Sequence, residues 1–191
     1  DPWFLTGEYF DPGNGEMRPV SLPADDPYWT SLTFADHQNR AFAEWQRRLL
    51  SGGAQEGAGP DAVGIGAGFE TWVRDLARTV FPQPKPIIAY EGGPSIYTDD
   101  RDWGDSRDDG ITIFMEAMNR HPAMADVYSI HLNMAKSKGM WTHVMFVDTG
   151  VWGRYGQWGH LEHLDQNPDI SVKYNCILDW IDAMAGLRHI D

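Results

Sequence analysis

The sequence predicts an α/β fold in which parallel strands are joined by helical crossovers. Three observations predict it. Short apolar runs bounded by Pro and Gly alternate with longer stretches of helical spacing, in the order strand, helices, strand, helices, strand, helix. The strand-like run Ile87-Ile88-Ala89-Tyr90-Glu91 is almost continuously apolar, as in strands covered on both faces. The intervening segments carry apolar residues at helical period and stop at glycines.

In chain order, Trp3 to Phe10 reads as a short buried strand ending at the turn-former Asp11-Pro12-Gly13-Asn14-Gly15. A connection containing Pro19, Pro23 and Pro27 follows. From Thr33 to Leu50, Phe34, Ala41, Phe42, Trp45, Leu49 and Leu50 give a helix one core face, and Gly52-Gly53 ends it. Residues 51–68 form a Gly/Ala-rich loop, and a second helix is expected over Phe69 to Val80. Pro82, Pro84 and Pro86 block further helix and launch the Ile87–Glu91 strand. After a polar loop from Gly92 to Asp109, helices are expected over Ile111–Arg120 and Ala123–Lys138, with Gly139 as the stop. Trp141 to Val147 is the third strand, a Gly/Trp-rich loop runs to Gly159, and Val172 to Met184 is the last helix. Residues 1–191 read as one unit without internal repeats.

The 191 residues fall below the roughly 250 of a complete eight-stranded β/α barrel. With 15 Lys+Arg against 28 Asp+Glu, the formal charge is −13, which disfavours nucleic acid and anionic membranes as partners. Cys176 is the single cysteine, so an internal disulfide framework and a multi-cysteine zinc module are excluded. No run approaches the roughly 20 apolar residues of a membrane span. The first residues lack the basic start and apolar run of a signal peptide, which leaves a cytosolic location or an export signal outside this sequence.

Chemistry concentrates in four places. Glu91 ends a strand and precedes Gly92-Gly93, where β/α folds put catalytic groups; a structural ion pair is its other reading. In VWGRYGQWG, Trp152, Tyr155 and Trp158 stand three apart among glycines and could stack on a sugar's C–H face, or could seal the end of the fold. Of these, Trp152 is the preferred stacking residue. Asp148, at the end of the third strand, could bond a hydroxyl or cap the loop. The loop Tyr97 to Asp109 holds six Asp and two Arg, and Trp103 within it could reach a sugar. Asp105, Asp109, Gly110 and Glu116 approach a calcium-loop spacing, but Arg107 stands where a ligand belongs, so a solvated acidic loop is expected. His160 and His163 lack an HExxH context and a third ligand, so no metal is expected.

IIAYEGG, together with MWTHVMFVDTGVWGRYGQWGHLEHLDQ and VKYNCILDWI, resembles the last part of a clan A glycoside hydrolase (β/α)8 barrel. The opening Asp1 to Phe10 is similar to strand six of such proteins. The resemblance spans nearly the whole chain as strands six to eight with their helices. It implies a retaining glycosidase acting on a polysaccharide or oligosaccharide, with Glu91 as nucleophile and no metal or organic cofactor. Tyr9 and Tyr90 are then hydrogen-bonding neighbours. It also implies secretion or a periplasmic location. Retaining enzymes pair two carboxyl groups about 5–5.5 Å apart. The Asn-Glu pair that supplies the acid/base in clan A does not occur here, so that group is expected outside this sequence. Missing sequence or another chain would complete the barrel. Glu8 is a weaker substitute: a parallel strand beside Glu91 would lie about 4.8 Å away, and a direct sugar contact suits Glu8 better. A non-catalytic carbohydrate-binding or structural subunit is the alternative.

Overall fold

The computed structural model describes residues 8–11, 16–19, 25–51, 69, 83, 85–93, 110–153 and 156–188. Four strands and four α-helices lie among them: β1 (Glu8–Asp11), β2 (Glu16–Pro19), α1 (Leu32–Ser51), β3 (Ile88–Gly92), α2 (Gly110–Arg120), α3 (Met124–Ser137), β4 (Thr142–Met145) and α4 (Val172–Arg188). The class is α/β.

Helix α1 starts where the sequence supplies a cap: Ser31 Oγ accepts from Phe34 N at 3.0 Å. Its apolar stripe, Phe34, Ala41 and Phe42, is buried, with Trp45 and Leu49 packed beside it. Opposite lie Phe114, Met115 and Met118 of α2 and Met124, Val127 and Tyr128 of α3, which complete one core. Phe34 and Phe114 meet edge to face at 5.9 Å. Leu50 lies off the stripe and is exposed. Helix α3 stops at Gly139, whose φ of 83° is the left-handed conformation that ends helices. Helix α4 begins at another hydroxyl cap, Ser171 Oγ accepting from Tyr174 N at 3.3 Å. Of the helix expected over Phe69 to Val80, Phe69 is helical and buried, and the remainder lies outside the described residues.

β3 and β4 pair in parallel, joined through α2 and α3, which is the predicted strand–helices–strand crossover. Ala89 pairs with His143 and Gly92 with Met145, so Tyr90 and Glu91 together oppose the single Val144. This is a bulge in β3. Ala89, Gly92, His143 and Met145 are half-buried, whereas Ile88, Tyr90, Glu91, Val144 and Phe146 are exposed. Side chains alternate across a strand, so the helices cover one face of the pair and the bulge leaves both Tyr90 and Glu91 on the other.

Two expectations are corrected. β3 is not covered on both faces: Ile88 is 53% and Tyr90 75% exposed. The opening strand is not a parallel neighbour of β3. β1 pairs antiparallel with β2, with Glu8 opposite Pro19 and Tyr9 opposite Arg18, in a two-stranded sheet of its own. The connecting Asn14-Gly15 is a strong hairpin signal. Glu8 therefore has no strand-pairing route to Glu91 among the described residues.

Candidate functional site

Two faces of the β3–β4 pair carry chemistry. The open one holds Tyr90 and Glu91 in solvent at the C-terminal end of β3. The strand ends are tied by Phe146 N donating to Gly92 O at 2.9 Å. Asp148 follows three residues after β4 and is exposed; its backbone carbonyl accepts from Leu161 N at 2.9 Å, which fixes the returning loop. One carboxylate thus sits at the penultimate residue of β3, before Gly92, and another follows β4, near the strand ends where open α/β sheets bind ligands.

The covered face is built around histidines that sequence reasoning assigned no role. His131 of α3 and His143 of β4 meet Nε2 to Nε2 at 2.6 Å, one neutral ring donating to the other. Phe69 stands edge-on to both rings, at 5.6 and 6.1 Å. Burial keeps both histidines below their ordinary pKa, His131 at about 4, with the neighbouring His143 adding to the shift. The pair explains Gly92. A Cβ there would lie 2.4 Å from His143 Cε1, so only glycine lets β3 run against this ring. The His131–His143 contact spans 12 residues and two elements, and no local spacing signals it.

His160 is buried beneath Tyr128, ring centroids 5.8 Å apart. Desolvation, and then the nearby Lys173 charge, hold it at about 4. His143, His160, Asp148 and Trp180 border one cavity of about 260 Å³ between β4, α3 and α4. Among the described residues no three His, Cys, Asp or Glu side chains could hold a metal ion together.

Trp152 is not an open stacking platform. It is 7% exposed, its indole N–H donates to Gly159 O at 2.8 Å, and Arg120 and Lys173 lie over its ring at 5.1 and 4.7 Å. The burial follows from its neighbours. Arg120 is anchored by Glu162, with Nε to Oε1 at 2.8 Å, and Lys173 donates to Asn119 Oδ1 at 3.1 Å and to Gln157 O. Trp158 is half-buried against Phe146, with centroids 6.2 Å apart. β1 carries Glu8 and Tyr9, away from the β3–β4 ladder in strand pairing. Trp103 and Tyr155 lie outside the described residues, as does the whole acidic loop from Tyr97 to Asp109; Glu116 of the calcium-like spacing bonds Arg120 at 3.2 Å. Cys176 donates to Ala125 O at 3.3 Å inside α4, and burial raises its thiol pKa.

Compared with known protein families, curated proteins and solved structures, the chain matches none. Among the described residues no helix is long and apolar enough to cross a membrane.

Proposed function

We propose that the chain is the C-terminal portion of a (β/α)8 barrel from a retaining glycoside hydrolase acting on a polysaccharide or oligosaccharide, with Glu91 as nucleophile. The observation that carries this reading is the β3 bulge, which leaves Glu91 and Tyr90 side by side on the open face at the C-terminal end of a parallel strand. Glu91 attacks the anomeric carbon, the bond to the leaving oxygen breaks, and an acid/base residue from outside this sequence protonates that oxygen. The same residue then activates water to release the sugar. Asp148 bonds a substrate hydroxyl, and Tyr90 supplies a ring or hydroxyl contact. The exposed Ile88, Val144 and Phe146 are covered by the remainder of the barrel. Such an enzyme acts after export, and its carbohydrate chemistry needs no cofactor.

Replacing Glu91 with Gln in the full-length enzyme is expected to lower turnover on the order of 10⁴-fold with an unchanged unfolding midpoint, because the side chain stands in solvent. Near-normal hydrolysis rejects the assignment. A second reading, a non-catalytic carbohydrate-binding subunit, is favoured by the exposed aromatics Tyr90, Trp141 and Phe146 and by the lack of an Asn-Glu pair. It predicts oligosaccharide binding by the native chain that Tyr90→Ala weakens, with no hydrolysis in any longer form.

A further inference from the structure

The loop that follows β4 is fastened to the helices through Lys173. Inside the loop, Trp152 Nε1 donates to Gly159 O at 2.8 Å and Gln157 Nε2 to Gly153 O at 2.7 Å. From α4, Lys173 Nζ donates to Gln157 O and lies 4.7 Å from the centre of the Trp152 ring. It also donates to Asn119 Oδ1 of α2 at 3.1 Å. Asn119 is oriented for this by its own Nδ2, which donates to Met115 O at 2.8 Å. One amine thus ties the loop to α2 and α4, on a side chain that is 1% exposed.

A buried ammonium needs a counter-ion. Among the described residues, the charged and titratable groups around this amine are Glu162, Arg120, Glu116 and His160. Glu162 is already engaged, because both its oxygens hold Arg120, at 2.8 and 2.5 Å. Glu116 bonds the same guanidinium at 3.2 Å. Arg120 also lies over the Trp152 ring, 5.1 Å from its centre, so a lysine cation shares that ring with another cation. Burial keeps His160 neutral near pH 7, and it supplies no countercharge. A neutral amine suits this place better. It carries two N–H donors, and two amide oxygens receive them.

We propose that Lys173 is a proton-operated latch on this loop: as a neutral amine it holds the loop shut against α2 and α4, and a proton taken up from solvent favours the opened form. Burial, opposed by Glu162, lowers its pKa to about 7 in the closed form, against an ordinary 10.5 once opening returns it to water. Between these values the open form binds more protons than the closed one, so raising the pH holds the loop shut. The loop borders the open face. Trp158 stands against Phe146 there, its carbonyl accepts from Val147 N at 3.3 Å, and Leu161 N donates to Asp148 O at 2.9 Å. A sugar at that face, cleaved or only bound, meets a firmer wall at higher pH.

Amide hydrogen exchange of the chain at pH 7 and pH 9, corrected for the intrinsic rate, tests this by mass spectrometry. Peptides covering residues 150–161 are expected to gain about fifty-fold in protection at the higher pH. In Lys173→Met, which has no proton to exchange there, their protection should be the same at both. A flat native profile, or a gain that persists in Lys173→Met, would overturn the proposal. A second measurement needs no variant: the Lys173 Cε resonance of the native chain, followed by NMR with ¹³C-labelled lysine, should titrate near pH 7. A midpoint above about 10, the ordinary lysine range, would overturn it equally. Neither readout involves a sugar, so failure here is distinct from failure of the glycosidase reading.

Discussion

The two faces of the β3–β4 pair are built on opposite terms. The covered face is closed by partners the chain itself provides: His131 and Phe69 against His143, with Leu132, Ile177 and Trp180 lining the cavity beside Met145. The open face presents Ile88, Tyr90, Glu91, Val144 and Phe146 to solvent with no covering element among the described residues. The difference teaches where each face gets its specification. One is fixed internally, by a ring pair that demands glycine at position 92. The other is fixed only by the bulge that aims it, and no described element covers it.

Acid should strike the covered face first. His131 and His160 have folded pKa values of about 4 against an ordinary 6.5, so between these limits the unfolded chain binds more protons than the folded one. Their contribution is complete above pH 6.5 and is lost as pH falls toward 4, a change on the order of a few kcal/mol in all. Urea unfolding midpoints from pH 7 to 4 measure it, and a flat profile would mean that these rings are solvated. Lys173, 1% exposed and held at about 7, extends the same trend, with stability still rising from pH 7 toward 10.5.

Gly92→Ala comes next. Its Cβ would overlap the His143 ring, so a loss of about 1–3 kcal/mol is expected by chemical denaturation. A comparable loss, about 1–3 kcal/mol, is expected for His143→Phe, which leaves His131 Nε2 without a partner. The double variant His131→Phe/His143→Phe should cost less than the sum of the singles, and strict additivity would show that the ring pair is not coupled. The smallest effect belongs to the α1 surface. Glu44 bonds both Arg47 and Arg48, which hold its carboxyl down at about 2, yet the cluster is exposed, so Glu44→Gln should cost less than about 1 kcal/mol.

How much of this was legible in the sequence differs by element. The spacing of Phe34, Ala41, Phe42 and Trp45 fixes α1 and its core face, because helix burial repeats locally. Pro86 and Gly139 bracket β3 and end α3 for equally local reasons. The β1–β2 hairpin was signalled by Asn14-Gly15, but reading Asp11 to Gly15 only as a strand end hid the pairing. The bulge at Tyr90–Glu91 has no signature in composition, since it depends on register against β4. Trp152 read as an open ring because its glycine-rich neighbours suggest a loop. Arg120 and Lys173, distant in sequence, are what lie over that ring. The His131–His143 ring pair forms only through tertiary packing.

Covalent trapping is the most direct test of Glu91 as the nucleophile on the open face. The protein would be incubated with a 2-deoxy-2-fluoro glycoside bearing a good leaving group. The fluorine slows breakdown of the glycosyl-enzyme, so the adduct can be mapped by peptide mass spectrometry. An added glycosyl mass on Glu91, absent from Glu91→Gln, is the predicted result. Time-dependent inactivation with the sugar on any other carboxylate, Asp148 included, would contradict the account.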